Sequence, residues 1–316
     1  MFNTSLSTKK HSFLSVENDI SKIGAQNDGD AQLFATDSSD IDSEENFKKH
    51  NQYQDLTVYS YYKEYTEDNK NWEHIEQSNN NESGFSARVF KNKKDSQIVI
   101  AFRGMDEHYK DMIANEQILK GEIPDQFNDA IKLYEKIKEE NPDAKITLTG
   151  HSLGGALAQL VASCDESTSA VTFNSLGTSD ILEAESKFSD YSNCINYNTS
   201  SDITSNLSEQ IGDVRTIYTG DISVDIFDKN YSDLVQEAHS LKHFNKLQDA
   251  KYVNEKFMSE NTKELDKISK PVIGILKHVP NVTKKVHTGI DIVKGIKKFF
   301  VDIYNGARNI LEAIGF

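Results

Sequence analysis

Thr147 to Leu160 reads TLTGHSLGGALAQL. The segment Lys145 to Gly150 (KITLTG) has the character of a strand, and Leu153 to Ala162 that of a helix. Between them stands Gly150-His151-Ser152-Leu153-Gly154. This G-x-S-x-G spacing puts a serine at the tip of a sharp strand-to-helix turn, with its hydroxyl exposed. Such a turn strains the backbone, and a side chain at either flanking glycine would collide with neighbouring main chain. The helix that follows aims its N-terminal amides at whatever the serine attacks. Gly154, Gly155, Ala156 and Ala158 let that helix lie close to the sheet. A helix-capping serine in a glycine turn is the competing reading. The strand before it and the apolar helix after it favour Ser152 as a nucleophile.

Outward from this point, strands alternate with helices. Upstream, Gln97 to Gly104 (QIVIAFRG) is a continuous apolar run, as a buried parallel strand is, and Phe85 to Asn92 (FSARVFKN) alternates like an edge strand. Ser78 to Ser83 reads as a loop, and Asp55 to Tyr65 as a short aromatic-rich helix. Pro124 to Asn141 has helical apolar spacing with Pro at its start. Downstream, strands are predicted at Ala170 to Ser175, Cys194 to Asn198 and Val214 to Tyr218, with a helix over Ser179 to Phe188. This alternation predicts an α/β-hydrolase fold: a mostly parallel central sheet with helices on both faces. Three regions are expected: an acidic, polar arm (1–50), the α/β domain (51–265) and a basic, amphipathic helical extension (266–316).

In this fold the acid and the histidine follow the serine in chain order. The acid belongs just past the end of a later strand, where open α/β sheets bind ligands. Asp202 stands there, in CINYNTSSDIT. Asp180 is its rival, at a helix start; Asp213 and Asp221 read as turn residues. His239 is the preferred base and His243 the second choice, both in EAHSLKHF. His278 and His287 fall in the basic tail, and His151 reads as a packed residue facing away from substrate.

The 316-residue chain carries a formal charge of −15, which argues against nucleic acid as a partner. From Lys270 to the end, eight Lys or Arg face three Asp or Glu, so that segment is positive while the rest is acidic. The two cysteines, Cys164 and Cys194, are far apart without metal-ligand spacing; buried free thiols are expected, with one disulfide as the alternative. No metal or cofactor is expected. The N-terminus lacks an apolar core, so no ordinary secretory signal is expected; the chain stays in the cytosol or leaves by a route that reads another feature.

Ile98 to Gly104 (IVIAFRG), Ile146 to Ala162 (ITLTGHSLGGALAQLVA) and, more loosely, Asp202 with His239-Ser240 together resemble the class 3 lipases, over roughly residues 55 to 247. The resemblance implies an oxyanion hole made by the backbone amides of Met105 and Leu153. The family usually has Ser or Thr after FRG, whose hydroxyl also donates; Met105 departs from this. The resemblance also implies a lid after that strand, and Met105 to Ile123 suits either an amphipathic cover or an ordinary surface helix. Some bacterial members are exported without a cleaved signal, a delivery that the acidic arm and distinct tail fit, as they fit a cytosolic protein.

The expected activity is hydrolysis of acyl-glycerol esters, as by a triacylglycerol lipase or phospholipase A, through Ser152, His239 and Asp202 and an acyl-enzyme. Two other readings remain: a carboxylesterase or thioesterase acting on small soluble acyl compounds, and a delivered effector. In the latter the basic tail, with Phe299, Phe300, Ile303 and Tyr304, docks on an anionic membrane or a partner protein, unless it only covers an edge of the domain.

Overall fold

Strands buried on both faces need apolar residues on both, and Ile98–Phe102 (IVIAF) shows the result. Ile98, Ile100 and Phe102 enter one core, Val99 and Ala101 the other. The computed structural model describes residues 44–62, 71–106, 109–183, 191–219 and 231–253. Its order is α1 (Glu44–Tyr59), β1 (Trp72–Asn80), β2 (Phe85–Asn92), β3 (Ile98–Phe102), α2 (Tyr109–Leu119), α3 (Phe127–Glu140), β4 (Ile146–His151) and α4 (Leu153–Ala162). Then come β5 (Ser169–Phe173), α5 (Ser179–Glu183), β6 (Cys194–Thr199), β7 (Asp213–Ile217) and α6 (Tyr231–Ala238), with short 3-10 turns after β6 and α6.

The seven strands form one sheet in sequence order. β1, β2 and β3 pair antiparallel, and β3 to β7 run parallel. The parallel part brings the C-terminal ends of β3, β4, β5 and β6 to one edge, the usual place for a ligand site. On one face α3 (Ala130, Leu133, Tyr134, Ile137) and α4 (Leu157, Ala158, Val161) cover Ile100, Phe102 and Leu148. On the other, Tyr53 and Leu56 of α1 pack with Trp72, Phe173, Tyr197 and Phe244. Helices thus lie on both faces, and the α/β-hydrolase architecture is the observed one.

Several local readings are corrected. Ser78 to Asn80 belongs to β1, whose pairing with β2 makes β2 an interior strand and β1 the edge. The first helix starts at Glu44, well before Asp55, because His50, Tyr53 and Gln54 are also buried in it. Cys194 is buried, but Cys164 is exposed, and both are free. Within Met105 to Ile123, read as either a cover or an ordinary helix, α2 packs Ala114, Ile118 and Leu119 against Leu153, Ala156 and Leu160 of α4, which leaves both readings open. The Ser179 to Phe188 helix is described only as Ser179–Glu183. Asp221, His278, His287 and the whole basic extension lie outside the described residues, as does the arm before Glu44.

Candidate active site

β4 ends at His151 and α4 begins at Leu153, leaving Ser152 alone in the turn. Its φ of 58° is in the left-handed region, a strained conformation for a residue with a side chain. The strain is over-determined by close backbone packing. A Cβ on Gly150 would lie 2.3 Å from the Gly154 carbonyl, and one on Gly154 2.2 Å from Phe102 O. A Cβ on Gly155 would meet the Ser175 side chain at 2.6 Å. Ser152 N donates to Phe173 O at 3.2 Å, fixing the turn to β5. Ser152 is 7% exposed, and its hydroxyl has no hydrogen-bond partner among the described residues.

Asp202 follows β6 and is fully buried. Its Oδ1 accepts from His239 Nδ1 at 3.0 Å and from Thr204 N at 3.2 Å, and its Oδ2 accepts from Ser205 N at 2.9 Å. Burial alone would raise this carboxyl, but the His239 charge and these hydrogen bonds outweigh it and hold it below the usual range. Asp202 and His239, 37 residues apart, are therefore brought together. The rivals are not: Asp180 and Asp213 are exposed. His243 turns away, its exposed ring bonding Glu237 O at 2.9 Å.

His239 stands at the end of α6 and is held through its backbone. The preceding carbonyl, Ala238 O, accepts from Asn174 Nδ2 at 3.2 Å and Thr199 Oγ1 at 2.9 Å. Its own carbonyl contacts His151 Nε2 at 2.7 Å. The rings of His151 and His239 lie 4.4 Å apart, which sets the His239 ring against the residue preceding Ser152. Burial first, and then the charge of His239, push His151 down to about 3, so it is neutral. Its expected packed role is observed, but in contact with His239.

The loop after β3 also lies against the turn. A Cβ on Gly104 would meet His151 O at 2.6 Å. Met105 follows, half-buried, with Sδ accepting a weak bond from Asn115 Nδ2 at 3.7 Å. Asp106 N donates to the buried Asp111 at 3.0 Å, and Arg103 pairs with Asp106 at 3.1 Å, so both flanks of Met105 are fixed. Leu153, fully buried, opens α4, where the first helical amides have no intrahelical acceptor. Among the described residues no cluster of His, Cys, Asp or Glu could hold a metal ion, and no helix is long and apolar enough to cross a membrane.

A family model described as "Phospholipase-like: Tle-like phospholipase domain" matches residues 48–241, more than half of the chain. The chain belongs to this family. This Tle-like domain is also similar to "Putative lipase ATG15" of Eremothecium gossypii, 43% identical over 75 residues, and to the protein of the same name from Saccharomyces cerevisiae, 44% identical over 59 residues. These stretches are 23% and 18% of this chain but only 14% and 11% of those relatives, so the chain spans a small part of their length. Among solved structures it is similar to Lip2 lipase from Yarrowia lipolytica (16% identity, TM-score 0.41), covering 55% of this chain and 80% of that one. It is similar also to the Rhizomucor miehei lipase propeptide complex (14% identity, TM-score 0.43), covering 67% and 73%. The Tle-like domain is an ester hydrolase of the lipase kind.

Sequence reasoning missed Asn174, Thr199 and Tyr61, the last of which contacts His151 Nδ1 at 3.0 Å through its hydroxyl. Asn174 left one signal, an Asn at the end of an apolar run; it directly follows β5 with φ of 42°, a conformation Asn tolerates better than most residues. Tyr61 sat unremarked in an aromatic-rich stretch, and nothing in its spacing links it to residue 151.

Proposed function

We propose that this chain hydrolyses acyl-glycerol esters of lipids through a Ser152–His239–Asp202 triad. The observation that carries the reading is a serine at positive φ whose preceding residue, His151, holds its ring 4.4 Å from that of His239, which in turn bonds the buried Asp202. The Asp202 carboxylate accepts from His239 Nδ1–H, leaving Nε2 free to take a proton. His239 Nε2 removes the Ser152 proton as Oγ attacks the ester carbonyl. The backbone amides of Met105 and Leu153 then receive the negative oxygen, each such donor being worth about a hundredfold or more in rate. His239 returns the proton to the leaving glycerol oxygen, and an acyl-Ser152 ester remains. Water, deprotonated by His239, attacks that ester, and His239 returns the proton to the leaving Ser152 Oγ as the fatty acid is released. Ser152 needs no partner at rest for this, since catalytic hydrogen bonds commonly tighten only when substrate binds.

The test is fatty-acid release from phospholipid vesicles and triacylglycerol emulsions, with short soluble esters in parallel. Ser152→Ala should abolish release while keeping the unfolding midpoint. Hydrolysis retained by Ser152→Ala would sink the assignment. Preference for the short soluble esters over vesicles would replace the lipid substrate with a small acyl compound.

A further inference from the structure

Tyr61 follows α1, and its hydroxyl reaches the active site from the α1 face of the sheet. It contacts His151 Nδ1 at 3.0 Å and Gly104 N at 3.1 Å. The direction of each bond is fixed by chemistry. A carbonyl only accepts, so the 2.7 Å contact with His239 O places the His151 proton on Nε2. Nδ1 is then a bare acceptor, and Tyr61 must donate to it. The phenol oxygen in turn accepts the Gly104 N–H. One directed chain therefore runs from Gly104 N–H through Tyr61 and His151 to His239 O. It begins one residue before Met105, passes through the residue before Ser152, and ends on the backbone of His239. Glycine at 104 is what admits the phenol, because a Cβ there would lie 2.2 Å from its oxygen.

We propose that Tyr61 and His151 are positioning residues that hold the oxyanion loop and the catalytic histidine in register about Ser152, an inference that rests on the hydrolase reading above. Three separate chain segments must keep sub-ångström geometry around one hydroxyl, and this chain joins all three. Tyr53 offers the contrast. It is buried on α1 and its hydroxyl accepts from Gln97, but it lies at the other end of the strands.

The experiment compares the full chain with Tyr61→Phe, His151→Phe, the double variant, His151→Gln and Tyr53→Phe. The readouts are kcat and KM on 4-nitrophenyl butyrate, the rate of Ser152 labelling by a fluorophosphonate, and the unfolding midpoint. Tyr61→Phe and His151→Phe should each lower kcat and labelling by about 10- to 100-fold with KM nearly unchanged, as expected for a misplacement of reacting groups by about 1 Å. The double variant should be no worse than the lower single, because both break one chain. His151→Gln, which keeps an N–H for His239 O, should recover part of the loss. Tyr53→Phe should lower the midpoint but leave kcat in place. Unchanged kcat in Tyr61→Phe, additive losses, or a kcat loss in Tyr53→Phe as large as in Tyr61→Phe would overturn the proposal. Should Tyr61→Phe not fold, His151→Gln against His151→Phe decides: equal kcat overturns the proposal. A wild-type chain that neither labels nor turns over would overturn the hydrolase reading itself.

Discussion

At the scale of single residues, the two histidines of EAHSLKHF separate cleanly. His239 meets a buried carboxylate, whereas His243 meets only the Glu237 carbonyl at the surface. His239→Ala should therefore abolish ester hydrolysis, and His243→Ala should leave kcat/KM within about twofold, as exposed residues away from a site usually do. Equal losses would remove the basis for choosing between them. Asp202→Asn should lower kcat by roughly 10³- to 10⁴-fold, because an amide at Oδ1 favours the wrong His239 tautomer. Met105 is expected to act through its backbone amide alone, so Met105→Ala should keep most of the activity. A loss as large as that of Asp202→Asn would instead assign its side chain a role. The sequence favours His239 over His243 but gives no geometric ground for the choice. The four-residue spacing of His239 and His243 suited a shared helix face, but α6 ends at Ala238 and a 3-10 turn (Leu241–Phe244) sends the second ring elsewhere.

At the scale of elements, the contact of β3 with α4 decides whether the turn can form. Helix interiors ordinarily gain about 0.5–1 kcal/mol when Gly becomes Ala. Gly154→Ala should do the opposite, since its Cβ would press on Phe102 O, and overpacking of this kind costs about 1–3 kcal/mol. A raised unfolding midpoint in Gly154→Ala, with activity kept, would contradict the close packing on which the turn depends. The elements themselves were unequally readable. β4 and β5 mix buried Thr with apolar residues, while β3 announced itself because burial on both faces forces a continuous apolar run. β1 (WEHIEQSNN) did not: it is paired on one side only, exposes Ile75, and is interrupted by an irregularity between His74 and Glu76. Its end is tied by polar bonds of Asn80 and Ser83 to Asp129, which no hydrophobic pattern records.

At the scale of the whole molecule, two histidines among the described residues, His151 and His50, are buried in the neutral form. His151 is pushed down to about 3 by burial and the charge of His239, and His50 to about 4 by burial and the charges of Arg215 and Lys49. In the unfolded chain both titrate near the ordinary 6.5. Between these values the unfolded chain binds more protons, so stability is full above about pH 6.5 and declines as pH falls. Asp202, held low, adds a loss only further down, once ordinary carboxylates protonate near about 4. The unfolding midpoint should therefore drop between pH 7 and 5, before carboxylates titrate; a flat midpoint over that range would show that neither ring is buried neutral. The sequence by itself determined the alternation of strands and helices around the turn, the nucleophile candidate Ser152 and the candidate acid Asp202 past β6, because each follows from local rules: apolar runs, glycine clearance and chain order. Only the tertiary structure decided which histidine meets Asp202, and that Asn174 and Thr199 bond the carbonyl before it while Tyr61 bonds His151. Those contacts join residues 37 to 90 positions apart in sequence, and they depend on how the sheet stacks its strand ends at one edge, which no short-range pattern encodes.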